Sequence, residues 1–450
     1  MTIVEGNLQA PTRHSIDWKN PLFHNEEACL SELERIFDIC HGCRRCLSLC
    51  GSFPTLFDLI DASPSAEVNG VSKGDYWSVV DHCYLCDLCY LTKCPYTPPH
   101  PWNVDFPHAM LRAKAVKFQK GGVKSSEQFL ASTDQHGQFA GIPIVVEAFN
   151  ALQNTKVARQ VMESLLGVDK KAWIPELARQ TFRDTFPKCK TKTAINGATT
   201  PGKVLIYSTC YINYYEPGIG HDLLSILDHN DIPYELVSKE KCCGMPKLEL
   251  GDLESVNESK VVNIPILARY AAQGYAILSA VPSCTLMFKQ EIPLMYPEDG
   301  EVQAVKNAVW DPFEYLMARK RDGLLKTEFP VSLGNVSYQM PCHGRVQKIG
   351  RKTEEMLKMI PNTQVNTVER CSGHGGTFGV KKGFHDEAMQ MGKPVIKAMA
   401  QMKDGARPDF ISSDCPLGGQ HIKQGFEVSG LGQPKLKHPL SLVKRAYGLL

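Results

Sequence analysis

CHGCRRCLSLC, residues 40–50, places Cys40, Cys43, Cys46 and Cys50 in the spacing C-x2-C-x2-C-x3-C. A second run, HCYLCDLCYLTKCP at 82–95, holds Cys83, Cys86, Cys89 and Cys94, with Pro95 turning the chain away behind them. Thiols at i, i+3 and i+6 on a tightly winding loop can aim at one face of a cubane, so the fourth ligand has to come from elsewhere. In two-cluster ferredoxins the trailing cysteine of each run serves the other cluster. By that rule Cys40, Cys43, Cys46 and Cys94 hold one [4Fe–4S] cluster, and Cys83, Cys86, Cys89 and Cys50 hold the second. Gly51 stands where a proline usually follows the first run, and four residues instead of three precede Cys94. Both departures fit a loop. The competing readings are structural zinc, which favours pairs of C-x2-C and would leave a surplus ligand here, and free thiols.

Composition sets the context. At 450 residues the chain is long enough for two or three cores, and 43% hydrophobic with 22% charged residues is the balance of a globular protein. A formal net charge of +2 gives no sign of a nucleic-acid partner. The first residues, MTIVEGNLQAPTRHSIDWK, lack a basic stretch followed by an apolar core, and no run of about 18 apolar residues occurs. The expectation is a cytoplasmic protein, where clusters among 17 cysteines read as metal ligands ahead of disulfides.

Residues 1–25 read as an extended arm. From Glu26, Leu30, Leu33, Ile36 and Phe37 share one helical face that leads into the first cysteine run. SPSAEVNGVSKGD (63–75) is a turn-rich loop between the runs. Residues 103–195 carry no ligand pattern; NALQNTKVARQVMESLLG and IPELARQTFRDTF have helical period, predicting a helical connector that ends in the linker TKTAINGATTPGK. Beyond it KVLIYSTC (203–210), YAILSAVPSC (275–284), NVSYQMPC (335–342), TQVNTVERC (363–371) and DFISSDC (409–415) are strand-like and end in cysteine. Sites in open α/β sheets form at the carboxyl ends of strands, so these thiols point to a metal or redox edge.

The strand-end cysteines also repeat. Cys210, Cys242–Cys243 with Gly244, and Cys284 form one series; Cys342, Cys371 with Gly373, and Cys415 form another, displaced by 132, 129 and 131 residues. One α/β unit therefore occurs twice. Successive side chains of a strand diverge, so a glycine after the Cys-Cys pair allows the turn that brings both sulfurs to one site.

With KCCGMP (241–246), VPSCTLMF (281–288), MPCHGR (340–345), RCSGHGGTFG (370–379) and SDCPLGG (413–419) added to the paired runs, the chain resembles a known family. It is similar to the iron–sulfur C subunits of anaerobic glycerol-3-phosphate dehydrogenases and to heterodisulfide reductase-related CCG-domain proteins. The resemblance spans about residues 30–450. It implies an α+β chain: a mostly helical two-[4Fe–4S] ferredoxin-type domain at 26–102, the connector at 103–195, a first CCG unit at 203–330, and a second with a C-terminal helix at 331–450.

The family's full CCG domain has a lone Cys, a Cys-Cys-Gly and a C-x2-C. Here Val281 replaces one cysteine of the first unit; Ser372 and Gly418 replace two of the second. The resemblance implies a cluster on Cys210, Cys242, Cys243 and Cys284. Cys342, Cys371 and Cys415 would need His343, His374, a hydroxyl or a small ligand to complete a second site. The implied role is electron relay between a flavin dehydrogenase and a quinone or other acceptor. The alternative is disulfide- or peroxide-linked reductase chemistry at the CCG site, and a redox-sensing scaffold is a third. PGIGHD (217–222) lacks the third glycine of a dinucleotide fingerprint and no Walker loop occurs, so a flavin belongs on a partner. Cys29 and Cys189 read as ordinary thiols. PLSLVKRAYGLL (439–450) reads as a helix packed on its own domain, leaving membrane attachment at the inner face, if any, peripheral.

Overall fold

The computed structural model describes residues 6, 9–92, 94–187 and 193–449; Cys189 lies outside them. The N-terminal region is helical. Asn25 accepts the Ala28 amide and caps the helix Glu26–Cys43, which buries Leu33, Ile36 and Phe37. This helix stops at Arg44, whose φ of 47° is left-handed. Cys40 and Cys43 therefore share its last turn, three residues apart on one face. Helices Ser52–Asp61, Tyr76–Asp81 and Phe106–Gln119 close the core, where Phe53 stacks on Phe106 at 4.6 Å between centroids. Phe106–Gln119 packs against Glu26–Cys43, so it belongs to this core although it falls in the connector by sequence.

Two parallel sheets follow. The first comprises β1 (Lys203–Ile206), β2 (Tyr234–Leu236), β3 (Tyr275–Leu278) and β4 (Val309–Trp310), in the order β2-β1-β3-β4. The second has β5 (Gly334–Gln339), β6 (Thr363–Val368) and β7 (Phe410–Ser413), ordered β6-β5-β7. All pairings are parallel. The repeated order, first strand in the centre and second and third on its flanks, is the structural counterpart of the cysteine repeat. Strands form at all five cysteine-terminated stretches. The short β2 and β4 add two strands that the sequence pattern does not announce.

One reading is corrected. IPELARQTFRDTF, at 174–186, has helical period but forms turns and irregular chain. Its amides are used by neighbours instead of by an i→i−4 ladder. Ala178 N–H donates to Tyr214 O, Phe182 N–H to Asn213 O and Leu177 N–H to Asn150 Oδ1. The helices of the connector are Ser125–Leu130, Thr133–Gly137, Pro143–Leu152 and Lys156–Leu165.

From residue 9 the N-terminal arm runs as irregular chain into a 3-10 turn at Pro21–His24, and it is anchored. Arg13 is buried in an acidic nest, 2.6 Å from Asp87, 3.0 Å from Asp105 and 3.4 Å from Glu291. The C-terminal helix Pro439–Ala446 buries Leu440, Leu442 and Val443 and packs on helix Pro217–His229, with Lys444 paired to Asp222 at 3.1 Å. Its apolar face is thus spent within the chain. Among the described residues no helix is long and apolar enough to cross a membrane.

Candidate functional site

The N-terminal thiols sort into two sets, each mixing the two runs. Cys40, Cys43, Cys46 and Cys94 line one cavity, walled by Phe53, Phe57 and Tyr96. Burial pushes the Cys40 thiol well up, and the adjacent sulfurs of Cys94, Cys46 and Cys43 push it further. Cys50 lies instead with the second run: Cys89 is raised by burial and then by Cys86, Cys50 and Cys83. The loop carrying Cys83, Cys86 and Cys89 achieves this with Leu85 and Asp87 at φ 50° and 62°. Two left-handed residues on either side of Cys86 wind the chain tightly around its own thiols. The Arg13 ion pairs hold Asp87 in that conformation.

In the first cysteine-rich unit Thr209 takes φ 63° directly after β1 and caps helix Cys210–Tyr214, placing Cys210 on its first turn. Gly244, at φ 97°, turns the chain after Cys242 and Cys243 and opens helix Met245–Leu250. The four thiols form a chain of contacts, Cys210 to Cys242 to Cys243 to Cys284. Hydrogen bonds from Cys210 and Cys243 hold Cys242 well below an ordinary thiol, while its neighbours are raised. A hydroxyl from the connector covers this site: Thr133 Oγ1 stands 3.3 Å from Cys210 Sγ and 3.8 Å from Cys242 Sγ.

The second unit repeats the backbone with fewer sulfurs. Gly373, at φ 87°, corresponds to Gly244, and a Cβ there would meet Ala388 O at 2.1 Å, so only glycine fits. Cys342 is a charge neighbour of both Cys371 and Cys415, and burial raises all three. A Cβ at Gly418 would stand 3.2 Å from Ser372 Oγ and 3.5 Å from Cys415 Sγ, so both substituted positions face the thiols that remain. Backbone amides serve the sulfurs: Gly373 N–H donates to Cys371 at 3.2 Å and Gly418 N–H to Cys415 at 3.3 Å. His343 Nδ1 pairs with Ser283 Oγ at 2.8 Å, linking the residues beside Cys342 and Cys284. Among the described residues the Nε2 atom of His374 is buried without a hydrogen-bond partner, while the His343 ring lies beside the Leu85 backbone. Burial, then His421 and His385, push His374 down to about 3, so its ring stays neutral and keeps a nitrogen lone pair that a metal could use.

The sites are contiguous. Tyr84, between Cys83 and Cys86, bonds Cys371 Sγ through its hydroxyl at 3.1 Å. Cys342 and Cys371 are charge neighbours of Cys86, and Cys415 is one of Tyr211, the residue after Cys210. His82 and Glu387, 3.1 Å apart, fasten the N-terminal domain to the second unit. Sequence reasoning named every cysteine here but neither hydroxyl. Tyr84 had a local signal, lying inside the motif; Thr133 had none. Cys29 is buried in the helix Glu26–Cys43.

The donor chemistry fits a polynuclear group. Among the described residues no three His, Cys, Asp or Glu side chains converge on a single-ion position, as tetrahedral zinc requires. Cys40, Cys43, Cys46 and Cys94 surround one shared space, as the thiolate ligands of a cluster do.

Residues 204–289 and 336–423 match the cysteine-rich domain family, CCG. The chain is 25% identical over 323 residues to the C subunit of anaerobic glycerol-3-phosphate dehydrogenase from Escherichia coli K12, covering 70% of this chain and 76% of that protein. It is 29% identical over 256 residues to the B subunit of the fumarate reductase (CoM/CoB) from Methanothermobacter marburgensis, covering 56% of this chain and 48% of that one. Lactate utilization protein A of Bacillus pumilus is 25% identical over 242 residues, 52% of this chain and 94% of the relative. The chain thus carries two cysteine-rich domains of the CCG family and is homologous to the C subunit of anaerobic glycerol-3-phosphate dehydrogenase and to the B subunit of the CoM/CoB fumarate reductase.

Proposed function

We propose that this chain is the iron–sulfur electron-transfer subunit of an oxidoreductase complex, relaying electrons between a flavin dehydrogenase and a quinone or other acceptor. Cys40, Cys43, Cys46 and Cys94 would hold one [4Fe–4S] cluster, Cys83, Cys86, Cys89 and Cys50 a second, and Cys210, Cys242, Cys243 and Cys284 a further one. Such clusters supply reversible one-electron transfer at potentials set by ligands, burial and hydrogen bonds. The chain's part is to hold the sulfurs, exclude water and donate hydrogen bonds to them from Gly373, Gly418, Tyr84 and Thr133. Cys342, Cys371 and Cys415 would serve as a reduced second CCG site beside the second ferredoxin-type set.

The observation that carries this reading is the Tyr84–Cys371 contact, through which a residue between two ferredoxin-type thiols touches a CCG thiol directly. The relatives' names, subunits of dehydrogenase and reductase complexes, supply the partner class, and membrane contact would come through that partner. The test is anaerobic purification with iron and sulfide counting and EPR. Cys94→Ser should damage the signal lost in Cys43→Ser; loss of the signal that Cys86→Ser removes would sink the crossed assignment.

A further inference from the structure

A cavity of about 310 Å³ opens where the N-terminal domain, the connector and both cysteine-rich units meet, at the small end of the range for ligand sites. One wall is aromatic: the rings of Tyr84 and Phe378 lie 5.3 Å apart, and those of Phe378 and Phe384 5.0 Å. Cys83 of the second thiol set reaches the same space. The opposite wall is charged. Lys117 and Lys381 are engaged by Asp81 and Glu127 at 2.6 and 2.7 Å. Lys114 and Glu249 also line the cavity, yet neither makes a hydrogen bond or close ion pair among the described residues. Burial pushes the Lys114 ammonium down, and it pushes the Glu249 carboxyl up to about 7 against the pull of Lys114 and Lys381.

Lys114 and Glu249 are half-buried and face the cavity without a partner among the described residues, so a ligand that engages both makes hydrogen bonds that the fold leaves unmade. The ligand has to be flat and apolar enough for the rings, offer an oxygen acceptor to Lys114, and tolerate a proton-bearing carboxyl. A simple carboxylate would satisfy Lys114 but leave the aromatic wall unused. Position adds a redox criterion, since the cavity touches Cys83 and, through Tyr84, the sulfur of Cys371.

Resting on the iron–sulfur reading above, we propose that this cavity binds a quinone ring, Lys114 donating to a carbonyl oxygen and Glu249 delivering a proton. The quinone gains two electrons, one at a time, from the chain's iron–sulfur groups, which a flavin dehydrogenase keeps reduced. It gains two protons, one from Glu249, which is reprotonated from water at the exposed Lys124 mouth, and one from solvent, and leaves as the quinol.

Menadione, a naphthoquinone without a tail, is the probe. Its binding to the anaerobically purified, iron-loaded full chain is measured by equilibrium dialysis. Reoxidation of the pre-reduced protein by menadione or ferricyanide is followed in parallel. Lys114→Met and Glu249→Gln should each weaken menadione binding and slow reoxidation by menadione about tenfold. Ferricyanide reoxidation, iron content and EPR should stay as in the wild type, and Lys114→Arg should retain most of the binding. Unchanged menadione binding in both variants overturns the site. A wild-type protein that ferricyanide oxidises but menadione neither binds nor oxidises overturns the ligand class, leaving electron relay intact. Absence of iron–sulfur EPR signals from the wild type removes the reading beneath it, and the proposal with it.

Discussion

The two cysteine-rich units share strand order, the left-handed glycine after the cysteine motif and the strand-end position of their thiols, yet they differ in what faces those thiols. In the first unit four sulfurs touch one another, and a connector hydroxyl, Thr133, covers them. In the second, three sulfurs remain, Ser372 and Gly418 stand where the first unit's logic would place more, and a tyrosine of the N-terminal domain binds one of them. A backbone scaffold can outlast its ligand set. The first unit keeps four thiols in a chain of contacts, whereas Cys342 and Cys371 of the second lie beside the N-terminal set.

That contrast can be broken by restoring the missing sulfurs. The Cβ position at Gly418 points at Ser372 and Cys415, and its backbone is not left-handed. The double variant Ser372→Cys/Gly418→Cys should therefore bind one additional centre's iron and sulfide on anaerobic reconstitution. No gain over wild type would mean that the second unit lacks more than ligands.

Acid sensitivity tests the C-terminal segment of the second unit at a smaller scale. His438 Nδ1 accepts the Leu440 amide, and Nε2 faces Asp414 O at 3.1 Å, an arrangement that needs the neutral ring. Burial pushes His438 down to about 4. Its folded value lies below its unfolded one of about 6.5, so the stability it contributes is present above pH ~6.5 and lost as pH falls toward 4. The loss is on the order of 3 kcal/mol. His438→Asn keeps a capping acceptor but cannot titrate. The stability difference between wild type and variant in urea should shift in the variant's favour between pH 7 and pH 4.5; a pH-independent difference would show that His438 does not titrate in this range.

The two hydroxyls should give the smallest effects, about 1 kcal/mol each. Each hydroxyl holds its thiol down, so Tyr84→Phe should slow alkylation of Cys371 in the metal-free protein and leave Cys210 unaffected, and Thr133→Val should slow Cys210 and spare Cys371. Equal effects of both variants on both thiols would mean that the covers act through general loosening.

Much of this was legible because metal-ligand spacing is a local signal. The runs at 40–50 and 83–94 declare themselves within a dozen residues, and a cysteine ending each apolar stretch marks the strand and its functional edge together. The repeat was visible because Cys210 and Cys242 recur as Cys342 and Cys371 at nearly constant displacement. The pairing of Cys284 with Cys415 is corrected, since Cys415 caps its helix where Val281 does and Gly418 stands at the place of Cys284. What escaped was long-range. Arg13 reaches Asp87, Asp105 and Glu291 from an arm with no periodicity, and Thr133 reaches Cys210 across 77 positions. The strands YEL and VW are too short to alternate. Residues 174–186 have helical period, but tertiary partners outcompete the helix for their amides.

The inequality of the two units is tested most directly by counting iron and sulfide in anaerobically purified Cys242→Ser and Cys371→Ser beside the wild type. Cys242→Ser should lose one whole centre, because its sulfur is the hub that contacts both Cys210 and Cys243. Cys371→Ser should lose distinctly less. Equal losses from the two variants would contradict the account.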